Sequence, residues 1–170
     1  SCGYLSVHNP YRTFGTMMDQ EGNVYKTIVI GTQEWMAENL NTSTYRNGDA
    51  IPTGLSDAEW ANTINTEQGA WAYYDNEAIL ACPYGKLYNW YAFADARNVC
   101  PIGWHVPSDS EWNRLFKYID PNSDTSGIVG ISSSSAGWSM KSTGTNYWYT
   151  LNTGATNSSG FSGLPGGCRV

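Results

Sequence analysis

Four cysteines (Cys2, Cys82, Cys100, Cys168) and two histidines (His8, His105) are the side chains best suited to nucleophilic, redox or metal chemistry. No Cys-x-x-Cys pair occurs and the histidines are far apart, so the spacing does not make a zinc site. The cysteines read instead as two disulfides formed in an oxidising compartment, with three connectivities open. Buried free thiols are the alternative. His105 lies between Trp104 and Val106 on an expected short strand over 103–107. It reads as a hydrogen-bonded structural histidine rather than the base of a triad, and no serine-centred elbow accompanies it. Asp19, Glu21 and Asn23 offer oxygen ligands but lack the spacing and closing glutamate of a calcium loop. They read as a solvated turn. No metal and no cofactor is expected.

Recognition chemistry is better represented. The chain has 8 Trp and 12 Tyr, and only 14% of its residues are charged. Trp138, Tyr147, Trp148 and Tyr149 stand in a Ser-, Gly-, Thr- and Asn-rich stretch that begins near residue 121. Their rings suit the apolar C–H faces of sugars, and these four are the binding candidates. Neighbours on a strand alternate faces, so at least one of residues 147–149 is expected to be exposed. Clustered exposed aromatics mark interfaces. The competing reading is that they cover a thin core, as expected of Trp90, Trp104 and Trp112. Tyr73 and Tyr74 pose the same question.

The elements that would position these residues follow from pattern. The polar residues 1–15 read as a lead-in. The run 19–23 reads as a hairpin turn, followed by a strand over 24–30 with Val24, Ile28 and Ile30 facing inward. A second strand includes residues 34–37, and a loop spans 41–54. Ser56 and Glu59, then Ser108 and Glu111, form capping-box patterns at two helix starts. Leu87, Trp90, Tyr91 and Ala94 have the spacing of a helical face, predicting a helix over 86–96. Trp112, Leu115, Phe116 and Ile119 predict another over 108–119. Beyond residue 121 a long ordered loop region with one or two short strands is expected.

The length of 170 residues suits one domain. A net charge of −6 and no basic block leave no footprint for nucleic acid. No apolar run is long enough to span a membrane. Ser1-Cys2-Gly3 has the form of a processed lipoprotein terminus, although an ordinary chain start is the plainer reading. Asn41-Thr-Ser43 and Asn157-Ser-Ser159 match glycosylation triplets and are read as loop residues.

Several motifs in register resemble one family. They are Asp19-Gln-Glu-Gly-Asn-Val-Tyr-Lys26, Ile30-Gly-Thr-Gln-Glu-Trp-Met-Ala-Glu-Asn-Leu40, Tyr84-Gly-Lys-Leu-Tyr-Asn-Trp-Tyr-Ala92 and Cys100-Pro-Ile-Gly-Trp-His-Val-Pro-Ser-Asp-Ser-Glu-Trp112. The run Asn152-Thr-Gly-Ala-Thr-Asn-Ser-Ser-Gly-Phe-Ser-Gly-Leu-Pro-Gly-Gly167 completes the set. Together they resemble the Fibrobacter succinogenes major paralogous domain, over roughly residues 16–170.

The resemblance implies an α+β, C-type-lectin-like fold, shared with formylglycine-generating enzymes. Two helices would flank a small antiparallel sheet, and a long loop region would carry binding. Family members continue past Leu-Pro-Gly-Gly with an aromatic segment ending near Cys-Val-Arg. The C-terminal strands are therefore expected to be absent here, leaving an open sheet edge for a partner strand. The resemblance pairs Cys100 with that missing terminal cysteine and leaves Cys82 with Cys168 as an extra bridge. Cys168 alone does not carry over the enzymes' reactive cysteine pair. The expected function is non-catalytic recognition or adhesion at the surface of a Bacteroidota-like bacterium, with a glycan or surface protein as partner. A structural subunit of a surface or secretion assembly is the alternative, and a formylglycine-generating-like enzyme ranks below both. The expected location is extracellular or cell-surface, with an outer-membrane lipoprotein as the anchored form.

Overall fold

A computed structural model describes residues 6–126, 133 and 135–169. Cys2 and the Ser1-Cys2-Gly3 terminus lie outside the described residues. The architecture is α+β, with two small antiparallel sheets and short helices. The first sheet is a meander of β1 (Gly15–Met18), β2 (Val24–Ile30) and β3 (Gln33–Met36), in the order β1-β2-β3. Its central strand is rich in β-branched residues, which suit a pleated, half-buried surface. Ile28 and Ile30 are buried as expected, but Val24 is 64% exposed. Val24 pairs with Met18 at the hairpin end, where both side chains are exposed and neither joins the core cluster.

The turn between β1 and β2 is not simply solvated. Asp19 is buried, and its Oδ1 accepts from the backbone N–H of Glu21 and Asn23, both at 2.9 Å. Its Oδ2 accepts from Asn23 Nδ2 (2.9 Å) and the Tyr25 hydroxyl (2.6 Å). Those four bonds make the carboxylate the centre of the turn.

Helix α1 (Asp57–Thr66) starts at the predicted capping box of Ser56 and Glu59. Strand β4 (Trp71–Ala72) pairs with β5 (Leu87–Tyr88) as the second sheet. Between them lie two 3₁₀ turns and the single kinked turn α2 (Ala81–Tyr84), which contains a cis Cys82–Pro83 bond.

The helix predicted over 86–96 is corrected. Residues 87–88 are strand, and only α3 (Trp90–Ala94) is helical. Two residues force this. Gly85 sits at φ 64°, where an added Cβ would lie 2.6 Å from the Leu40 carbonyl. Asn89 then caps the helix, its Oδ1 accepting from both Ala92 N–H and Ala70 N–H. Trp90 consequently points outward, 72% exposed, and is not a core residue.

Helix α4 (Asp109–Ile119) follows its predicted span. Leu115 is fully buried, with Trp112, Phe116 and Ile119 packed beside it against Ile28, Ile30 and Trp35 of the sheet. Helix α5 (Ala136–Met140) adds Met140 to the same cluster and occupies part of the expected loop region. A second cluster gathers Tyr45, Ile51, Trp71, Ala92, Val99 and Cys100. The segment 103–107 is not a strand.

Side-chain bonds to backbone tie distant parts of the chain together. Asn157, buried, donates to the Val7 carbonyl and to Ser162 Oγ, so the amide of this glycosylation-like triplet is occupied inside the domain. Arg169 donates to the Leu55 carbonyl and to Asp57 Oδ1, and its guanidinium lies 4.7 Å from the Trp60 ring centroid.

Candidate functional site

A cleft of about 1380 Å³ opens beside β3 and α4. Its lining includes Trp35 from β3, Glu111, Trp112 and Arg114 from α4, and His105 and Trp104 from the segment before that helix. Trp35, Trp112 and Phe161 form a mutually packed trio, with ring centroids 4.8 Å apart for the two indoles and 6.0 Å from each indole to Phe161. Tilted rings at these separations are favourable aromatic geometry. Trp112 and Phe161 remain partly exposed, so the wall has an aromatic surface.

The Trp104 side of the cleft is fixed by a residue that sequence reasoning overlooked. Arg46 Nε donates to the Cys100 carbonyl (2.9 Å), and Nη2 donates to the carbonyls of Pro101 (3.0 Å) and Trp104 (3.1 Å). One planar guanidinium thus donates to three carbonyls of the 100–104 loop, which an ammonium point charge would not match. No local pattern around Arg46 announces a contact more than fifty residues away.

The α4 side is set by its cap. Glu111 Oε2 accepts from Ser108 N–H (2.8 Å) and the Ser108 hydroxyl (2.7 Å), while Oε1 lies 2.7 Å from His105 Nε2. His105 is therefore partnered with a capping carboxylate on the rim of the cleft. The Ser108 amide and hydroxyl, then the His105 ring, push the Glu111 carboxyl down to about 2. A depressed carboxylate stabilises the folded state fully above its ordinary 4.5 and loses that contribution as pH falls towards 2. Melting temperature followed from pH 6 to pH 2 should thus fall less steeply in Glu111→Gln than in the parent below about pH 4.5. Identical slopes would show that the cap contributes nothing through ionisation.

The four loop aromatics do not form one surface. Trp138 lies on α5, 52% exposed, with one ring face against Gly154. That glycine sits at φ 74°, and a Cβ there would meet the indole at 2.7 Å. Tyr147 lines the cleft and packs edge-on against Tyr84 (6.2 Å), which stacks on Tyr74 (5.0 Å). Trp148 is half-buried; its Nε1 donates to Ser142 Oγ (3.0 Å), and the Lys141 ammonium lies 4.5 Å from its ring centroid. Tyr149 is 96% exposed. Residues 147–149 are not a strand, so strand alternation does not apply to them, and Tyr149 is the exposed member of the trio. Tyr73 packs edge-on against Trp71, at 4.9 Å.

Cys82 is disulfide-bonded, whereas Cys100 and Cys168 carry free thiols. The expected Cys82–Cys168 bridge is corrected accordingly. Cys100 is buried in the second cluster, and that burial raises its thiol pKa, which suppresses the thiolate. Cys168 is exposed near the chain's end. Among the described residues, no group of three or more His, Cys, Asp or Glu side chains gathers as a metal site. No helix among them is long and apolar enough to cross a membrane.

A family model described as the Fibrobacter succinogenes major domain matches residues 28–170. No curated protein matches this chain, and no solved structure does.

Proposed function

The chain belongs to the Fibrobacter succinogenes major domain family, and from that premise we propose that it is a non-catalytic recognition domain acting outside the cell or on its surface. Its fold is of the C-type-lectin-like kind, and its ligand is a glycan met by aromatic side chains of the 138–149 segment. The observation that carries this reading is the exposure of Tyr149 and Trp138 on a segment that is otherwise tied down. Asn152 Nδ2 donates to the carbonyls of Ser142 and Gly144, both at 2.9 Å, and Thr156 N–H donates to the Trp138 carbonyl at 2.9 Å. Leaving a large aromatic in water forgoes roughly 2 kcal/mol of burial. A rigid segment that does so twice is pre-organised for a partner.

The test is binding of the folded chain to a broad array of glycans and polysaccharides, with calcium and with chelator. Tyr149→Ala is the informative variant, because the ring is almost fully exposed and has no hydrogen-bond or ring partner among the described residues, so its loss should leave the fold intact. A calcium-independent hit that weakens about tenfold in Tyr149→Ala supports the reading, as expected when a stacked aromatic anchor is removed. Trp148→Ala is the second variant, with thermal stability measured alongside, since it also removes the Ser142 bond. Absence of any hit by folded protein would overturn it.

A specific observation favours a second reading, assembly with a protein strand. β3 is an edge strand of its sheet and its residues wall the cleft. Its outer backbone edge makes no hydrogen bond to another segment among the described residues. An unpaired edge beside an aromatic cleft suits strand addition. Self-association of the purified chain, lost when a proline replaces Glu34, would move the assignment there.

A further inference from the structure

The nine Lys and Arg side chains are unequal in how they are used. Eight engage a partner inside the molecule. Arg12 donates to the Ser158 carbonyl, Arg46 to the loop carbonyls above, and Lys117 to the Ser123 carbonyl. Lys86 donates to the Asn41 carbonyl and lies 4.2 Å from the Trp71 ring centroid. Arg97 pairs with Asp95 and Asp49, and Arg169 with Asp57. Lys26 and Lys141 sit over the rings of Phe14 and Trp148. Arg114 is the exception among the described residues: it is exposed, lines the cleft, and has no hydrogen bond, ion pair or ring partner.

Arg114 stands one turn along α4 from Glu111, on the same face, yet makes no ion pair with it. The reason is visible in the cap. Both Glu111 oxygens are already held, by Ser108 and by His105. The other carboxylates of the cleft wall are occupied too. Glu34 accepts from the Thr27 hydroxyl (2.6 Å), and Glu38 accepts from Lys26 N–H (2.6 Å). The lining of one cleft thus includes both an unspent guanidinium and the packed indole and phenyl rings.

We propose that this cleft, which Tyr147 lines, is a second binding site distinct from the exposed Trp138 and Tyr149 rings, and that it takes a carboxylated sugar, a uronic-acid residue of a glycan. The aromatic wall matches the apolar C–H face of the ring. Arg114 supplies the planar two-pronged donor that a carboxylate accepts. A single fork of this kind, in a chain of net charge −6, selects a local carboxylate rather than a dense polyanion.

The experiment is titration calorimetry of the full chain with trigalacturonate, its methyl ester and a C-terminal pentapeptide with a free carboxylate. The expected result is saturable binding of the free acid. Affinity should be weaker by roughly ten- to a hundredfold for the ester and for Arg114→Gln, the usual effect of losing a charge-assisted bond. Arg114→Lys should recover only part of the loss, because it restores charge without the fork. Arg114→Gln removes no hydrogen bond, ion pair or ring contact among the described residues, so its melting temperature should equal the parent's. Tyr149→Ala should bind trigalacturonate as the parent does, which separates this site from the loop surface. Equal binding of acid and ester, an unchanged Arg114→Gln, no binding by folded protein, or binding of the peptide alone would each overturn the proposal.

Discussion

Asp19→Ala should destabilise the domain by about 4 kcal/mol, the range for breaking a buried hydrogen-bonded charge network. For a chain of this length that corresponds to a melting temperature lowered by on the order of 10 °C. The carboxylate accepts four hydrogen bonds while buried, and alanine would leave the Glu21 and Asn23 amides, the Asn23 side chain and the Tyr25 hydroxyl without their acceptor. The damage extends beyond the turn. The Tyr25 hydroxyl also accepts from Asn41 N–H at 3.0 Å, so the phenol couples the first hairpin to the loop that follows β3. Burial, and then the Asp19 carboxylate, keep that phenol protonated by raising its pKa. Asp19→Asn should cost less, about 1–2 kcal/mol, because its oxygen still accepts from both backbone amides. Urea denaturation of the two variants checks the ordering. Equal and small losses would mean that water replaces the carboxylate and that the turn is solvated after all.

Arg46→Ala should produce the second large effect, about 3 kcal/mol of lost stability together with an exposed thiol. Three carbonyls at Cys100, Pro101 and Trp104 would lose their shared donor. The segment carrying Trp104 into the cleft would then be free to move, and Cys100, now 8% exposed, would open to solvent. Thiol labelling reads this directly in a Cys168→Ser background, which removes the exposed free thiol. The Cys100 rate at neutral pH should rise at least tenfold in Arg46→Ala, the change that accompanies about 1.4 kcal/mol of easier opening. Arg46→Lys should fall between, since an ammonium reaches one or two of the three carbonyls. An unchanged labelling rate would show that the second core cluster holds the segment without the guanidinium.

Local signals in the chain were sound where one residue type controls one geometry. The capping boxes at Ser56 and Ser108 begin α1 and α4, because cap and partner lie within a single turn. The spacing of Trp112, Leu115, Phe116 and Ile119 identified the face that meets the sheet. The same periodicity misled over 86–96. There Gly85 and Asn89 impose conformations that interrupt a helix, and the partner strand β4 draws residues 87–88 into a sheet. Periodicity does not register a competing partner far away in sequence.

The candidate site divides the same way. That at least one of Tyr147, Trp148 and Tyr149 would face water was expected from strand alternation, but the segment is not a strand, so alternation is not what exposes Tyr149. Which one does so depended on what stands opposite: Tyr84 for Tyr147, Lys141 and Ser142 for Trp148, and, among the described residues, no hydrogen-bond or ring partner for Tyr149. The cysteine pairing was equally beyond reach, since four cysteines allow three connectivities and only proximity selects among them. By itself, the sequence determined the family, the α+β composition, the two capped helices and the first hairpin, because these rest on motifs and short-range bonds. Only the tertiary structure decided the cleft, the Arg46 clamp, the role of buried Asp19 and the isolation of Arg114. Each of those depends on groups brought together across tens of residues, or on a partner's absence, and neither leaves a local trace in the chain.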